Sequence, residues 1–150
     1  MEYKPYLRKV QFYETDAMGI VHHSNYVRWM EEARTDLMEQ AGYPYEKCSV
    51  EHHVDLGVTS IQGNYKGMTR FGDTVRIEAS ITHLSNARLT VGYRVYDNDT
   101  GALRFEGESG HFFYDNQTGR VVALKKVVPE LFALFSSLCE GADYDGNPRY

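Results

Sequence analysis

The residues with the clearest potential for chemistry lie between Val10 and Arg34, in the segment VQFYETDAMGIVHHSNYVRWMEEAR. Two carboxylates, Glu14 and Asp16, precede a glycine at position 19. In extended chain, alternate side chains project to one face, so both carboxylates would point the same way. Gly19 permits a backbone conformation or close approach that a side chain would block, so a sharp turn is predicted. Such a turn can aim one carboxylate, as a base, at a carbonyl group.

The start of the following helix supplies a second chemical device. The first backbone N–H groups of a helix lack intrahelical partners and carry the positive end of its dipole. They can therefore bind the oxyanion that forms when a carbonyl is attacked. Taken alone, however, a carboxylate in such a turn is more often a solvated or locally hydrogen-bonded residue. The residues by themselves leave both interpretations of Asp16 open.

A helix of about 17 residues is predicted directly after this turn, which is roughly 25 Å at 1.5 Å per residue. Ser24 or Asn25 can cap its start, and Gly42 followed by Pro44 is a usual way to end a helix. Apolar side chains recur at spacings of three and four, which places them on one face. The members of this predicted face are Tyr26, Met30, Ala33, Leu37 and Ala41.

Strand-like segments make up most of the remaining chain. Turn residues at 85–86 and 97–101 separate the later segments, which predicts antiparallel hairpins. One helix against such a sheet is an α+β two-layer arrangement. A loop at 43–48, a short return strand over 120–124, a helix from Pro129 to Leu138 and a frayed tail over 141–150 are also expected. The predicted strands are Tyr6–Tyr13, His52–Tyr65, Thr74–Leu84, Arg88–Asp97 and Leu103–Tyr114.

Composition limits the class of protein in which this chemistry operates. With 150 residues, 42% of them hydrophobic and 25% charged, the chain is predicted to be a single domain over 1–150. Its net charge of −5 argues against nucleic-acid binding, which usually needs a basic surface. No run approaches the ~20 apolar residues that span a bilayer. The N-terminal MEYKPYLRKV also lacks the apolar core of a secretory signal, so a cytoplasmic location is expected.

Metal and thiol chemistry are both disfavoured by residue spacing. Cys48 and Cys139 lie far apart and form no CxxC motif, so they are expected to be free thiols. The adjacent histidines at 22–23 and at 52–53 lack the H-x-x-x-H spacing of metal ligands. Adjacent side chains in regular structure also point in different directions. We therefore expect no metal site, and a His22 ring that points away from its neighbour.

The turn and helix resemble a known family, the hot-dog-fold acyl-CoA thioesterases of the 4-hydroxybenzoyl-CoA thioesterase type. A second similarity is the segment Tyr65–Asp73, which looks like the family's approach to its long strands, although a proline is common where Met68 stands. The residues that carry the main resemblance are Asp16, Gly19, Val21, Asn25, Tyr26, Glu31, Ala33 and Arg34.

This resemblance implies a hot-dog fold, with a long central helix wrapped by a curved antiparallel sheet and a short C-terminal helix. It implies a homo-oligomer, either a dimer or a homotetramer. Asp16 aligns with the family's aspartate, which acts as a general base toward water or as a nucleophile on the thioester carbonyl. The His23 backbone N–H stands where the family binds the thioester oxygen. The His23 side chain either orients water or substrate, or merely packs beside the helix start.

Further contacts with substrate follow from the same resemblance. Gly19 and Val21 belong to the turn, Tyr26 lines the pocket in addition to packing in the core, and Glu31 is a reserve catalytic carboxylate. The CoA phosphates need basic partners, for which Arg70 and Arg88 are candidates, as is Lys66, although ordinary surface charge explains each of them equally well. No cofactor is expected, because CoA is part of the substrate.

The implied activity is hydrolysis of an acyl or aryl CoA thioester to the carboxylic acid and CoA. Two alternatives remain. An acyl-thioester hydratase or dehydratase of the same fold usually carries a His-Phe-Pro signature, which this chain lacks. A non-catalytic acyl-CoA-binding protein would keep the pocket, and the presence of Asp16 argues against it only moderately.

Overall fold

A computed structural model describes residues 3–139 and shows one five-stranded antiparallel sheet curved around a long helix. The spatial order of its strands is β1-β3-β4-β5-β2, so β1 and β2 form the two edges. The α+β arrangement is therefore as predicted, while the tail at 141–150 lies outside the described residues. The elements are β1 (Tyr6–Lys9), α1 (Ser24–Gln40), β2 (Val54–Tyr65), β3 (Thr74–Leu84), β4 (Arg88–Asp97), β5 (Leu103–Asp115), α2 (Leu124–Val127) and α3 (Pro129–Leu138).

Helix α1 has the predicted 17 residues, but its buried face is shifted. Leu37 and Ala41, both predicted to be buried, line a narrow apolar cleft toward α3 and stay partly exposed. Trp29 and Met38, which we did not predict to be buried, are in the core instead. The sheet curves around the helix, so the buried surface is wider than one stripe at spacings of three and four. The buried residues of α1 are Asn25, Tyr26, Trp29, Met30, Ala33 and Met38.

Strand β1 ends at Lys9, earlier than the predicted Tyr13. Its backbone leaves the sheet at Val10, whose N–H donates to the Asp73 carbonyl at 2.8 Å. A 3-10 turn over Phe12–Glu14 follows, closed by the Gln11 N–H donating to Glu14 Oε1 at 2.8 Å. The strand ends because the Glu14 side chain accepts a hydrogen bond from the backbone three residues earlier. A pattern of alternating residues does not predict such a contact.

Two other local predictions are wrong. Residues 47–51 form a single π-helical turn, and β2 begins at Val54 because His53 adopts a positive φ of 58°. The segment predicted to return as a strand over 120–124 makes only one isolated bridge, between Tyr114 and Val121, and Leu124 already starts α2. Within residues 3–139, every helix is too short or too polar to cross a membrane.

The register of the sheet places one set of side chains on the concave face. Phe105 of β5 lies opposite Val95 of β4 and Tyr65 of β2, and directly opposite residues of antiparallel strands share a face. Ile61 and Val58 of β2 lie opposite the buried Ser109 and His111, so they share that face with Tyr65. In contrast to their partners, these three β2 side chains are exposed. The concave face is thus covered by α1 over β3, β4 and β5 but open along the edge strand β2.

Candidate active site

The turn predicted around Asp16 is a tight loop closed by three hydrogen bonds. The Asp16 N–H donates to the Ile20 carbonyl at 2.8 Å, and the Gly19 N–H donates to the Asp16 carbonyl at 2.9 Å. The Met18 N–H donates to Asp16 Oδ1 at 2.8 Å. Gly19 has a φ of 77°, a left-handed conformation that favours glycine. Within the described residues Asp16 Oδ2 has no hydrogen-bond partner, so one oxygen of this half-buried carboxylate is open to react.

The same loop is bound to the segment between β2 and β3. Ile20 bridges Arg70, and the Val21 N–H donates to the Thr69 carbonyl at 2.8 Å. Thr69 is buried, and its Oγ1 accepts a hydrogen bond from the Tyr26 hydroxyl at 3.0 Å. The structure therefore brings four predicted site residues to one place, since Gly19, Val21, Tyr26 and Arg70 all lie on or against the Asp16 loop.

The junction between this loop and α1 supplies the predicted N–H donor. His23 has φ −54° and ψ −30°, and it directly precedes Ser24. Within residues 3–139 no acceptor contacts the His23 N–H, so this group is available to a ligand. The predicted caps do not cap: the Ser24 N–H donates to His22 Nδ1 at 3.2 Å, and the Asn25 side chain turns back to donate to the Glu14 carbonyl at 2.7 Å.

The two histidines at this junction are stacked, with ring centroids 4.0 Å apart. The prediction that the His22 ring points away from His23 is therefore wrong. Divergence of neighbouring side chains applies within regular structure, whereas this pair lies where a loop passes into a helix. The His22 ring is also held by the Ser24 hydroxyl, 2.8 Å from its Nδ1, while the His23 ring is exposed.

Glu14, the second carboxylate of the motif, is buried and fully engaged. Gln11 N–H donates to its Oε1, and Trp29 Nε1–H donates to its Oε2 at 2.8 Å. Arg8 contacts the same Oε2 at 3.3 Å. The expectation that Glu14 and Asp16 face one way is wrong, because Glu14 ends a 3-10 turn instead of lying in extended chain. Of the two carboxylates, only Asp16 is accessible as a base.

An aromatic cluster lies behind the helix start. The Tyr26 ring is 5.0 Å from Trp29, 5.3 Å from Tyr65 and 4.9 Å from Phe105, measured between centroids. Burial raises the pKa of Tyr26, so its hydroxyl is a neutral donor to Thr69. Tyr65 is 54% exposed, and its hydroxyl donates to the His23 carbonyl at 3.2 Å. Sequence reasoning gave Tyr65 no role; its place at the end of a predicted strand, just before the Thr69–Arg70 segment, was the available signal.

Glu31 and Arg88 are not brought to the loop. Glu31 is exposed on α1, eight residues beyond His23, which is about 12 Å along the helix axis. Arg88 begins β4 opposite Phe112, seven residues along β5 from the partner of Tyr65, or about 23 Å. Arg70 is exposed beside Ile20 and therefore lies against the loop, unlike Arg88.

Clustered metal-ligating side chains and a thiol such as that of Cys48 are two further kinds of group that can carry out chemistry. Within the described residues, no group of three or more His, Cys, Asp and Glu side chains could hold a metal ion. The Cys48 thiol is buried and donates to the Val54 carbonyl, and burial raises its pKa to about 12. A thiol of that pKa is a poor nucleophile near neutral pH.

Comparisons with known proteins identify the family. The Thioesterase-like superfamily matches residues 10–132. A candidate esterase of Aquifex aeolicus is 35% identical over 130 residues, covering 84% of this chain and 94% of its own. The acyl-CoA thioester hydrolase YbgC of Escherichia coli O157:H7 is 26% identical over 95 residues, covering 63% of this chain and 70% of its own.

Solved structures agree on the fold. A hypothetical protein, TT1821, from Thermus thermophilus matches with a TM-score of 0.82 and 30% identity, covering 91% of this chain and 99% of its own. The DHNA-CoA thioesterase of Staphylococcus aureus matches with a TM-score of 0.84 and 23% identity, covering 89% of each chain. The predicted hot-dog fold is confirmed, and this chain belongs to the Thioesterase-like superfamily.

Proposed function

We propose that this protein is an acyl-CoA thioesterase of the aspartate-dependent, 4-hydroxybenzoyl-CoA thioesterase type. It would hydrolyse an acyl or aryl CoA thioester to the carboxylic acid and CoA. The observation that carries the proposal is the open Oδ2 of Asp16 on the loop that leads into a helix start with an unpaired His23 N–H. The name of the related Escherichia coli protein, an acyl-CoA thioester hydrolase, supports the same substrate class.

Asp16 acts in one of two ways in this scheme. As a base, it takes a proton from the water whose oxygen attacks the thioester carbonyl carbon. As a nucleophile, it attacks that carbon itself to form an anhydride, which water then hydrolyses. In both routes the C–S bond breaks and CoA leaves as a thiolate, which needs no strong general acid. Neither route uses a metal or a cofactor.

The His23 N–H has a separate task, to stabilise the negative charge that develops on the thioester oxygen. Such a preorganised donor commonly contributes ~3 kcal/mol to the transition state. Proline removes this N–H, and the φ of −54° at His23 already fits a proline ring. We expect His23→Pro to lower kcat by about a hundredfold. His23→Ala keeps the N–H, so its rate measures the contribution of the side chain alone.

The acyl group is proposed to lie along the uncovered inner face of β2. Val58, Ile61 and Tyr65 form an exposed apolar strip there, and Tyr65 reaches the His23 carbonyl at the helix start. Because Arg70 lies against the loop and is exposed, it is proposed to meet the CoA phosphates. Glu31 remains a reserve carboxylate farther along α1, and Arg88 a reserve cation.

The protein is proposed to work as a homo-oligomer built on β2. Within the described residues, this 12-residue edge strand pairs with another strand on one side only, and it carries an exposed apolar strip. Long exposed edges of this kind are rarely left unpaired in natural proteins. A second copy paired antiparallel along β2 would satisfy the edge and form the missing wall of the groove, giving a two-fold dimer that could associate further into a tetramer.

The test is CoA release from short-chain, long-chain and aryl CoA thioesters by wild type, Asp16→Asn and Asp115→Asn at equal folded content. Asp115 is a matched control, because its Oδ1 accepts the N–H two residues on, Gln117, at 2.8 Å, as Asp16 does with Met18. We expect Asp16→Asn to lose at least about a hundredfold in rate and Asp115→Asn to lose almost none. The thioester that wild type hydrolyses fastest identifies the class of acyl group that the protein prefers.

Two results would redirect the proposal. If wild type releases no CoA but binds acyl-CoA, the protein is a non-catalytic binder. If it adds water to or removes it from an enoyl or hydroxyacyl thioester, it is a hydratase or dehydratase of the same fold. Hydrolysis in H₂¹⁸O tests for the anhydride: in a single turnover, water that opens an anhydride at the Asp16 carbonyl carbon leaves the label in Asp16, whereas the base route places it only in the product.

A further inference from the structure

Glu14 contacts both the strand that precedes the Asp16 loop and the helix that follows it. Its side chain joins Arg8 of β1, the Gln11 N–H and the indole of Trp29 in α1. Its backbone carbonyl accepts the His22 N–H at 2.8 Å and the Asn25 side-chain N–H at 2.7 Å. One buried residue therefore connects the first strand, the helix and the far end of the loop.

The carbonyl bond to His22 closes the loop at its base. Asp16 lies two residues after Glu14, and His23 directly follows His22. The separation between the Asp16 carboxylate and the His23 N–H thus depends on the pairing of the two arms of the loop, in which Glu14 is bonded to His22 and Asp16 to Ile20. A catalytic group displaced by ~1 Å can cost about a hundredfold in rate, so whatever holds Glu14 also governs the reaction.

We propose that Glu14 is the positioning residue that fixes Asp16 and the His23 N–H relative to each other. This inference rests on the proposed function of those two groups. Glu14 itself does not touch the substrate, because its side chain is 2% exposed and both oxygens are occupied. Its effect on the reaction passes through the loop.

The carboxylate form of Glu14 matters, because every partner of its side chain is a donor. Gln11 donates to one oxygen, while Trp29 and Arg8 contact the other. A glutamine at position 14 must turn its own NH₂ group toward at least one of these donors. Glu14→Gln keeps the shape of the side chain but leaves buried donors facing each other, which shifts the loop.

Glu32 provides a matched control for charge. It contacts Arg8 from the other side, with Glu32 Oε1 3.5 Å from Arg8 Nη1, and the Glu32 side chain is 34% exposed. Burial alone would lower the pKa of Arg8, but the carboxylates of Glu32 and Glu14 and the Tyr13 hydroxyl outweigh it and raise that pKa. Glu32→Gln therefore removes one negative charge beside the same cation, Arg8, and in the described part of the chain Glu32 has no polar contact with the loop.

The kinetic test measures CoA release in two backgrounds. We expect Glu14→Gln to lower kcat at least tenfold while KM changes less than threefold, and Glu32→Gln to stay within threefold of wild type in both constants. In an Asp16→Asn background, Glu14→Gln should cost less activity than it does in wild type, because one of the two groups that it positions is already disabled. An equal loss in both backgrounds would overturn the proposal and leave Glu14 a purely structural residue.

A spectroscopic test does not depend on activity. The chain has one tryptophan, so the Trp29 indole N–H gives a single resonance in a ¹⁵N correlation spectrum. Glu14→Gln should shift this resonance together with the Met18 and His23 amides, whereas Glu32→Gln should leave all three in place. If Met18 and His23 do not move, Glu14 does not position the loop. If wild type hydrolyses no CoA thioester, the proposed function fails, but these shifts still decide whether Glu14 holds the loop.

Discussion

Two turns of this molecule have similar hydrogen bonds but differ in whether the aspartate at their start keeps an unpaired carboxylate oxygen. Asp16 and Asp97 each begin a tight turn that ends in a left-handed glycine, Gly19 with φ 77° and Gly101 with φ 76°. In both turns the glycine N–H donates to the aspartate carbonyl at 2.9 Å. In both, the carboxylate Oδ1 accepts the N–H two residues on.

The difference lies in the remaining acceptor capacity. Asp97 also accepts the Thr100 N–H at 2.9 Å, and its second oxygen is 3.6 Å from Arg104. These contacts lower the pKa of Asp97, the hydrogen bond from the Thr100 backbone most of all. Within the described residues, Asp16 uses one oxygen once and keeps the other free on the loop that leads to the unpaired His23 N–H. A turn carboxylate is therefore structural when its oxygens are filled and is available for chemistry when one is not.

The sharpest way to break this comparison is to make the same substitution in both turns. Asparagine keeps Oδ1 and hence either turn, but it removes the negative charge. Asp16→Asn should lower kcat/KM by at least about a hundredfold with almost no change in the free energy of unfolding. Asp97→Asn should lower the free energy of unfolding by about 1 kcal/mol and leave kcat/KM within twofold. CoA release and urea denaturation measure the two quantities.

The result that contradicts the comparison is a symmetric one. If both variants lose activity, the turns share a role in the reaction, and acceptor capacity does not separate them. If Asp16→Asn instead destabilises the protein as much as Asp97→Asn does, Asp16 is a structural turn residue, which is the interpretation that its sequence position alone left open.

Acid titration of stability sharpens the comparison, provided that the contribution of His111 is removed. Burial lowers the pKa of this ring to about 4 from an ordinary value of 6.5, and the charge of Arg34 adds to the effect. Between these two values the unfolded chain binds a proton that the folded protein does not, so stability falls as pH falls. The loss from pH 7 to pH 4 should be about 3 kcal/mol.

His111→Gln should flatten this slope, while Asp97→Asn should retain it. The contribution of Asp97 has the same sign but lies in a lower pH window, because its unfolded pKa is 3.8 and its folded pKa lies below that value. That stabilisation is fully present above the unfolded pKa and disappears only as pH falls through the lower, folded value. Chemical denaturation at half-unit steps of pH checks both statements. An unchanged slope in His111→Gln would assign the acid sensitivity to other groups.

A smaller effect is expected from the two glycines. An added Cβ meets nothing within 4 Å at Gly19 or at Gly101, so the cost of alanine is the left-handed backbone alone. Gly19→Ala and Gly101→Ala should each lower the free energy of unfolding by about 1 kcal/mol. Only Gly19→Ala should also reduce kcat/KM, because its loop carries Asp16. If both variants lose kcat/KM equally, backbone strain in either turn lowers activity, and the position of the Asp16 loop is not the cause.

Sequence reasoning located α1, all five strands and the Asp16 loop, although it made β1 too long, because each leaves a periodic or glycine-marked pattern along the chain. The start of α1 at Ser24 and its end at Gln40 agree with the predicted signals at Ser24 and Gly42, even though neither Ser24 nor Asn25 serves as the cap. Patterns of this kind depend on residues that are neighbours in sequence.

Tertiary contacts account for what the sequence could not predict. Trp29 is in the core because a carboxylate fifteen residues earlier accepts its indole N–H, and β1 ends at Lys9 because Glu14 turns back to Gln11. Tyr65 reaches the helix start from 42 residues away. Composition and spacing contain no information on such pairs, so the saturation of Glu14 and the openness of Asp16 are visible only in the fold.

The smallest effect should come from Tyr65, the residue that joins β2 to the helix start. Its hydroxyl donates to the His23 carbonyl at 3.2 Å from an exposed position, where water can replace the bond. Tyr65→Phe keeps the ring against Tyr26 and Phe105, so the free energy of unfolding should change by less than about 1 kcal/mol. Because the bond holds the residue whose N–H is proposed to bind the thioester oxygen, we expect a two- to fivefold loss in kcat at constant KM, an order-of-magnitude figure for one weak positioning bond. A two- to fivefold rise in KM with kcat unchanged would instead make Tyr65 a wall of the acyl groove. Steady-state measurement of CoA release distinguishes these roles.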